Sequence, residues 1–403
     1  MTKAIILFLA ALSLVGCSST QIKESEKPVV YDRNFDTQSK LPFIEVYENR
    51  VPENIGLQEK YKGGHPQVLD YIFIRTVTAN VRDLPGIGTE VKEILNFNER
   101  VKVTGKIETQ GTKWYKVETD KGNIGYISDQ VVAFRTFRFE EALEEINKVE
   151  SFVERGKQGG IELGVTNSYI PNPNNVNFKR QKDKYGTTWD QNVPGQINGE
   201  VIFIPDRSIV KILEDDGKQA KVKVSSIPEE HLVIDSSYLS KPAKLVEKPI
   251  KKAIAVDTTN QNIIVFEKID EKWQVISYVY SKTGIESQLG FETPKGHFLA
   301  AVSKFTMGFN NEFGQPQGSA KFATRFSGGG YVHGTPVAIE EEINRAYFIS
   351  QKEQTLGTYT GTRKCVRTTE SHAEFVFDWI LDGKINQKSN EQTIGDNVLF
   401  VII

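Results

Sequence analysis

The chain has 403 residues and a formal net charge of −2 at pH 7. This length allows two or three domains, each able to bury a core, and the balanced charge excludes the broad basic surface that nucleic-acid binding requires. Aromatic residues make up 10% of the chain, and many alternating apolar runs favour a mainly β fold.

The N-terminal segment has the pattern of a signal peptide. Lys3 precedes an apolar run over residues 4–15, which is too short to span a bilayer as a helix. The run ends in Leu14-Val15-Gly16-Cys17, which resembles the bacterial lipobox. The resemblance implies cleavage before Cys17 and acylation of its thiol; the alternative is an ordinary secretory signal with a chance cysteine.

Residues 18–69 are expected to form a tether and a pre-domain segment. Up to residue 40 they are rich in Ser, Thr, Lys, Glu and Gln, and such a segment buries too little apolar surface to fold. A lipid at Cys17 would anchor the body in a bacterial cell envelope. Ser18 favours the periplasmic face of the outer membrane if the cell is Gram-negative.

Residues 70–135 show short strand patterns separated by close turn signals, which indicate a small barrel. Three motifs follow in order: Asn80-Val81-Arg82, Trp114-Tyr115-Lys116-Val117 and Gly125-Tyr126-Ile127. This region resembles a bacterial SH3 domain, which implies cell-wall binding or a spacer role. Trp114 is expected in the core, because central-strand aromatic residues usually pack inward.

The spacing of apolar residues changes in the middle of the chain. Residues 136–158 carry apolar positions at helical spacing and predict a connector helix. Strand patterns at 201–204, 209–213 and 220–224 then suggest a divergent second SH3-like unit over 159–241. A polar stretch at 167–198 is interpreted as an insertion in it, and the Lys- and Pro-containing residues 242–249 as a linker.

Residues 250–403 hold the candidate chemistry. The motifs in chain order are Asp257 with Gln261, Ser281-Lys282-Thr283-Gly284, Thr293-Pro294-Lys295-Gly296-His297-Phe298, His333-Gly334-Thr335 and Cys365-Val366-Arg367. Together they resemble the L,D-transpeptidase catalytic domain of the YkuD type. The fold class expected from both resemblances is mainly β, with small SH3-like barrels and a β-rich C-terminal catalytic domain that has a few helices.

Cys365 is the candidate nucleophile. A nucleophilic cysteine must be partly thiolate, and positive neighbours lower a thiol pKa. If residues 363–367 are extended, Arg363, Cys365 and Arg367 share one face, with Lys364 nearby. The alternative is a buried structural thiol, although two flanking arginines are unusual for an inert apolar site.

His333 is the candidate base that activates the thiol. The resemblance implies that the Gly334 carbonyl orients this histidine and that the backbone N–H groups of Lys364 and Cys365 stabilise an oxyanion. It also places Thr362, Arg363 and Arg367 at the substrate, and Arg367 either holds a substrate carboxylate or carbonyl or forms a structural ion pair. His297 and His372 are interpreted as structural.

The chain departs from the family pattern just before the cysteine. Members usually have Ser or Thr, then His, then Gly, whereas this chain has Thr362-Arg363-Lys364. The replaced histidine is not the general base in the usual account of the family, so the change affects acceptor choice or oxyanion geometry. A Glu-rich run at 340–342 is expected to start a helix in a long insertion after His333.

The resemblance implies a peptidoglycan L,D-transpeptidase that acts on stem peptides, needs no cofactor or metal and does not bind nucleic acid. The alternatives are an L,D-carboxypeptidase that uses water as acceptor and a non-catalytic wall-binding lipoprotein. A metal hydrolase is improbable, because the chain has no HExxH motif and no cysteine pair for zinc. Papain-like peptidases place cysteine before histidine, and here His333 precedes Cys365.

Overall fold

The computed structural model describes residues 34–167, 181–189, 191–287 and 290–403. Within these ranges the chain forms five β-sheets and only a few helices, so the fold is mainly β. None of the helices in these ranges has the length and apolar content needed to cross a membrane. The predicted signal peptide and the lipidation at Cys17 lie outside the described residues.

The segment before the first barrel is ordered from residue 34. It contains the hairpin β1 (Phe35–Asp36) and β2 (Leu41–Pro42), followed by β3 (Glu45–Val46) and β4 (Gly56–Leu57). Asp36 is buried, and its carboxylate accepts hydrogen bonds from Tyr126 and, at 2.6 Å, from Lys116. Burial acts to raise the pKa of Asp36, but bonds led by that from Lys116 outweigh it and hold the pKa at about 2. The predicted tether therefore does not extend over residues 34–40.

The first barrel spans the predicted region and encloses one apolar core. Its strands are β5 (Tyr71–Ile74), β6 (Thr78–Arg82), β7 (Val91–Asn96), β8 (Arg100–Thr109), β9 (Thr112–Glu118), β10 (Ile124–Ser128) and β11 (Val132–Arg135). They pair in the order β11-β5-β8-β9-β10-β6-β7, and β3 adds to β8. Trp114 is buried, at 3% exposed, but it does not lie in the barrel core. It packs with Ile107 and Tyr126 in a separate cluster that Leu41 and Phe43 cover.

Helix α1 (Phe139–Gln158) leads into a second β-unit. Its strands are β12 (Glu162–Thr166), β13 (Asn192–Ile197), β14 (Glu200–Pro205), β15 (Ile209–Asp215), β16 (Gln219–Val224), β17 (Leu232–Asp235) and β18 (Leu239–Ser240). The sheet order is β14-β13-β17-β16-β15-β12-β18. β13 lies where the sequence predicted a loop insertion. That prediction was wrong for these residues because β13 pairs on both sides and buries Val193.

The predicted linker contains a short helix, α2 (Ala243–Glu247), that packs Leu245 into the core. The C-terminal strands are β19 (Ile250–Asp257), β20 (Asn262–Ile269), β21 (Lys272–Tyr280), β22 (Gly296–Leu299), β23 (Val302–Asn310), β24 (Pro316–Ser327), β25 (Gly330–His333), β26 (Val337–Ala338), β27 (Val366–Arg367), β28 (Glu391–Thr393) and β29 (Asn397–Ile402). One sheet has the order β22-β29-β19-β20-β21-β4 and the other β27-β25-β24-β23-β28, with β26 on β24. The Glu-rich run forms a 3₁₀ turn, Ile339–Asn344, that continues into α3 (Arg345–Glu353).

The two C-terminal sheets share an apolar core with α4 (Glu370–Leu381). Thr369 caps this helix by accepting a hydrogen bond from the His372 N–H. The core fixes the positions of β25 and β27, because Val332 and Val366 are both fully buried in it. The candidate site is built on these two strands.

The second β-unit is joined to the C-terminal domain by buried polar contacts. Asp206 is fully buried and accepts a 2.6 Å salt bridge from Arg325. The Arg207 guanidinium donates to the Leu299 carbonyl at 3.0 Å. Such contacts stabilise the fold only when both partners stay in place, because a buried charged group without its partner is strongly destabilising. The second unit therefore forms part of the wall beside the site.

Candidate active site

Two short parallel strands carry the predicted base and the residue that follows the predicted nucleophile. β25 and β27 pair with Val332 opposite Val366 and His333 opposite Arg367. Because both valines point into the core, His333 and Arg367 face the other side of the sheet. Cys365 directly precedes β27, in the turn that leads into this strand.

His333 has the orientation and the protonation state of a general base. Its Nδ1 lies 2.6 Å from the Gly334 carbonyl oxygen and donates to it, so Nε2 carries the lone pair. This is the contact that the resemblance implied for Gly334. Burial, aided by the charge of Arg367, outweighs the hydrogen bond to Gly334 and lowers the pKa of His333 to about 4, so the ring is neutral at pH 7.

A side chain at position 334 would collide with its surroundings. A Cβ atom there would lie 3.0 Å from the Glu370 Cα and 3.3 Å from the Lys321 carbonyl oxygen. Glycine therefore relieves crowding at this close approach of the backbone, next to the carbonyl that accepts from His333.

The Cys365 thiol is neutral in this state. Its Sγ donates a weak hydrogen bond to the Gly329 carbonyl at 3.6 Å. Burial raises the pKa of Cys365 to about 11, although a backbone hydrogen bond from Tyr331 and the charge of Lys364 act to lower it. The site thus holds a neutral thiol and a neutral imidazole at pH 7.

We expect the alkylation rate of Cys365 to follow this raised pKa. In full-length protein carrying Cys17→Ser, Cys365 is the only thiol. Because the thiolate is the reactive form, the rate constant with iodoacetamide should rise about tenfold per pH unit between pH 7 and 9. The urea-unfolded protein is the control, with a rate that levels off near the ordinary pKa. A plateau of the folded protein's rate below pH 8 would instead indicate a pre-formed thiolate–imidazolium pair.

The prediction that Arg363, Cys365 and Arg367 lie on one face of an extended segment was wrong. Only Val366–Arg367 are in a strand, and the chain turns at Lys364, whose φ is +134°. Arg363 is exposed and donates to the Asn310 carbonyl at 2.6 Å, away from the thiol. The two arginines therefore do not activate the sulfur, and burial sets its pKa instead.

The backbone of Lys364 adopts a conformation that glycine usually occupies, and hydrogen bonds from neighbouring segments hold it there. Its carbonyl accepts from the Thr293 hydroxyl at 2.8 Å, and that hydroxyl accepts from the Gly284 N–H at 2.8 Å. Thr362 braces the same turn by donating to the Cys365 carbonyl at 2.5 Å. A positive φ costs a non-glycine residue of order 1–3 kcal/mol, and these bonds offset that strain. The oxyanion role of the Lys364 and Cys365 N–H groups and the substrate role of Thr362 stay predictions.

The motifs singled out in the sequence meet at this turn. Gln261 binds Thr283 in two ways, by accepting from its N–H at 2.8 Å and donating to its hydroxyl at 2.7 Å. Thr283 in turn accepts from the Thr362 N–H at 3.1 Å. Gln261 and Thr283 therefore support the turn that leads into Cys365.

The second β-unit contributes a residue that the sequence did not reveal. Gln191 accepts a 2.9 Å hydrogen bond from the ammonium of Lys364, which is 3% exposed. Gln191 also lies against Gly329, whose carbonyl binds the thiol. Nothing in the local pattern around Gln191 marks it, because its position depends on how the two domains pack. Between the two domains lies a cavity of about 540 Å³ with Lys364 in its wall.

The first barrel holds the loop that precedes the cysteine. Three of its side chains donate to consecutive carbonyls of this loop. The pairs are Arg100 with Leu356 at 2.5 Å, Tyr71 with Gly357 at 2.6 Å and Arg135 with Thr358 at 2.9 Å. In addition, the rings of Phe97 and Tyr359 stack with centroids 6.5 Å apart. The barrel is thus a structural partner of the candidate site.

The other histidines considered from the sequence lie in structural contacts. His297 bridges Ser225 and the α1 residue Glu145, at 3.3 and 3.2 Å. His372 is fully buried, with Nε2 2.7 Å from the Ser277 hydroxyl. Among the described residues no group of three or more His, Cys, Asp or Glu side chains could hold a metal ion.

Comparison with known proteins supports one part of the fold directly. Residues 77–133 match the family model described as bacterial SH3 domain, so the first barrel is a bacterial SH3 domain. No curated protein matches the chain.

Several solved structures resemble parts of the chain at low identity. L,D-transpeptidase 1 from Mycobacterium tuberculosis is 14% identical, covers 62% of this chain and 89% of its own, and has a TM-score of 0.25. L,D-transpeptidase 3 from the same organism is 14% identical over 60% of this chain and 94% of its own, with a TM-score of 0.25.

A third match is a fused Zn-dependent amidase/peptidase/peptidoglycan-binding domain-containing protein from Clostridium acetobutylicum ATCC 824. It is 16% identical over 38% of this chain, with a TM-score of 0.23. The chain spans about half of that protein's length, since 52% of it is covered.

Proposed function

We propose that the protein is a peptidoglycan L,D-transpeptidase in which Cys365 is the nucleophile and His333 the base. The observation behind this proposal is the pairing of β25 with β27, in which His333 lies opposite Arg367 and Val332 lies opposite Val366, the residue after Cys365. The order of the sequence motifs supports the substrate class, and the bacterial SH3 domain at 77–133 suits a protein that works at the cell wall.

In the first half-reaction the thiol proton moves to His333 Nε2 as Sγ attacks a carbonyl carbon. That carbon belongs to the third residue of a stem tetrapeptide. The peptide C–N bond then breaks, His333 returns the proton to the departing amine, and D-alanine leaves with a thioester formed at Cys365. A neutral imidazole suits this role because it can accept the proton at pH 7.

In the second half-reaction the amine of a neighbouring stem attacks the thioester. His333 takes a proton from that amine, a new C–N bond forms, the C–S bond breaks, and the proton returns to the sulfur. The product is a cross-link between the third residues of two stems. Water in place of the amine gives a shortened tripeptide and makes the protein an L,D-carboxypeptidase.

The test is incubation of the protein with tetrapeptide muropeptides, with products identified by mass. We expect release of D-alanine, and Cys365→Ala should lower the rate by a factor of about 10⁴ or more because the nucleophile is absent. Cross-linked dimers would identify a transpeptidase and tripeptides a carboxypeptidase.

The protein used should include residues 34–40, because Asp36 packs on the first barrel. Thermal unfolding of Cys365→Ala checks that it is folded. Absence of turnover in the unmodified protein, with muropeptide still retained on it, would contradict the proposal and identify a wall-binding protein.

A further inference from the structure

Arg367, two positions after Cys365, forms with Lys282 a pair of cations that the mechanism above does not use. Lys282 and Arg367 face each other in an antiparallel bridge, with mutual backbone hydrogen bonds of 2.8 and 2.9 Å. Residues directly opposite on paired strands extend their side chains to the same side. Lys282 is 6% exposed, and Arg367 is also largely shielded from water.

The two positive groups converge on one hydroxyl. The Lys282 ammonium lies 3.0 Å and an Arg367 guanidinium nitrogen 3.4 Å from the Thr355 Oγ1. The ring of Tyr359 covers the ammonium with its centroid 4.2 Å away. Like charges placed this close repel each other, and their burial adds a desolvation cost.

The cost is not offset by an acidic partner. Within the described ranges, neither Lys282 nor Arg367 forms a salt bridge with a carboxylate. The nearest acidic group acting on Arg367 is Glu353, but its Oε1 already accepts bonds from Thr335 and from the Glu370 N–H. The Arg367 Nε is buried without a hydrogen-bond partner.

Burial and the charge of Arg367 lower the pKa of Lys282 to about 8, the direction expected for a cation lacking a counter-ion. A buried donor left unpaired in the resting protein is commonly paired when a ligand binds. The chemistry of the missing ligand is that of an anion with planar oxygens, because guanidinium binds carboxylates through paired N–H groups.

We infer that Lys282 and Arg367 form a binding subsite for a carboxylate of the acyl-donor stem peptide. This inference rests on the proposed function. Arg367 follows Cys365 by two positions, and a rise of about 3.3 Å per residue places the cations about 7 Å along the chain from the nucleophile. That separation accommodates one further substrate residue and an ion pair of about 2.8 Å.

The spacing predicts which substrates are accepted. In a tetrapeptide cut before its last residue, the terminal carboxylate lies one residue beyond the scissile carbonyl. In a pentapeptide it lies about 3.6 Å further away, so the subsite favours tetrapeptides. A side-chain carboxylate on the third stem residue offers the same chemistry from another direction.

The test compares three synthetic stem tetrapeptides: unmodified, with an amidated C-terminus, and with an amidated side-chain carboxylate on the third residue. Hydrogen bonds to charged groups are individually strong, and we expect one of the two amides to lower kcat/KM roughly 10–100-fold. The C-terminal amide identifies the terminal carboxylate as the ligand, and the other amide identifies the side chain. Equal kcat/KM for all three peptides would overturn the subsite.

Lys282→Gln is the matching variant. It should raise KM about tenfold with a smaller change in kcat and should reduce the preference for the free carboxylate, whereas Lys282→Arg should restore it. Lys272→Gln, at an exposed position on the adjacent strand β21, is the control that leaves kinetics unchanged. Unaltered KM and unaltered preference in Lys282→Gln would contradict the inference.

Two further measurements test the carboxylate subsite independently of the proposed transpeptidase activity. Binding of the same peptides to Cys365→Ala by calorimetry measures the subsite without chemistry. Preference for the free acid supports the subsite even if turnover is never seen, and equal affinities overturn it. Thermal unfolding adds a second distinction: removing one of two repelling buried cations should raise the Tm, whereas loss of a structural lysine would lower it.

Discussion

Replacing His333 with glutamine should lower kcat/KM for D-alanine release by a factor of about 10²–10⁴. General base catalysis contributes about this much, and the thiol, with a pKa raised to about 11, has almost no thiolate of its own at pH 7. Glutamine is close in size to histidine but cannot accept the thiol proton. The measurement is steady-state release of D-alanine at pH 7.

The pH dependence of the unmodified enzyme provides a second check on the same residue. The base form of His333 is present above its pKa of about 4 and is lost as the pH falls through that value. The acid limb of kcat/KM should therefore lie near pH 4, well below the ordinary histidine value.

His231→Gln in the second β-unit is the matched control for His333→Gln and should leave kcat/KM unchanged. Equal thermal unfolding of both variants would show that the loss is chemical. If His333→Gln keeps more than a tenth of the original kcat/KM, another group is the base.

Replacing Gly284 with alanine should damage both stability and activity. A Cβ at this position would lie 2.3 Å from the Phe291 carbonyl oxygen and 2.8 Å from the Lys364 Cα. Both are backbone atoms, so relief requires a shift of the turn that carries Cys365. Overpacking of this kind typically costs about 1–3 kcal/mol. A displacement of about 1 Å at a reacting group can lower the rate about 10²-fold.

Gly395→Ala is the matched control, because a Cβ there meets no atom within 4 Å. We expect it to retain the Tm and the rate of the unmodified protein. Thermal unfolding and D-alanine release should both separate the two variants. If Gly284→Ala has the same kcat as Gly395→Ala, the backbone contact with Lys364 does not position the nucleophile.

Several features of the fold could be predicted because their signals are local. The alternating pattern of 70–135 predicted the first barrel, and the helical period of 136–158 predicted α1. Both depend on which side chains must be buried along one element, and periodicity records this directly. The same pattern failed for β13, whose polar sequence forms a strand only because two neighbours pair with it.

The candidate site also has features that the local sequence predicts and features that depend on distant residues. The sequence singled out Cys365, His333 and Gly334. The structure shows the His333 contact with the Gly334 carbonyl and places Cys365 directly before the strand that pairs with β25, and the catalytic roles of these residues stay predictions. The sequence also predicted an activated thiol between two arginines, and this was wrong. The extended conformation assumed for 363–367 is interrupted at Lys364, where contacts from distant segments hold a positive φ.

The sequence by itself therefore determined the mainly β fold, the first barrel with helix α1 after it, and which residues are candidates for the reactive groups. Only the tertiary structure decided their electrostatic state and surroundings. Burial in the folded chain raises the pKa of Cys365. The contact of Gln191 with Lys364 and the pairing of Lys282 with Arg367 join residues far apart in the chain. Burial and charge depend on every group within a few ångströms, and which groups those are is a property of the folded chain.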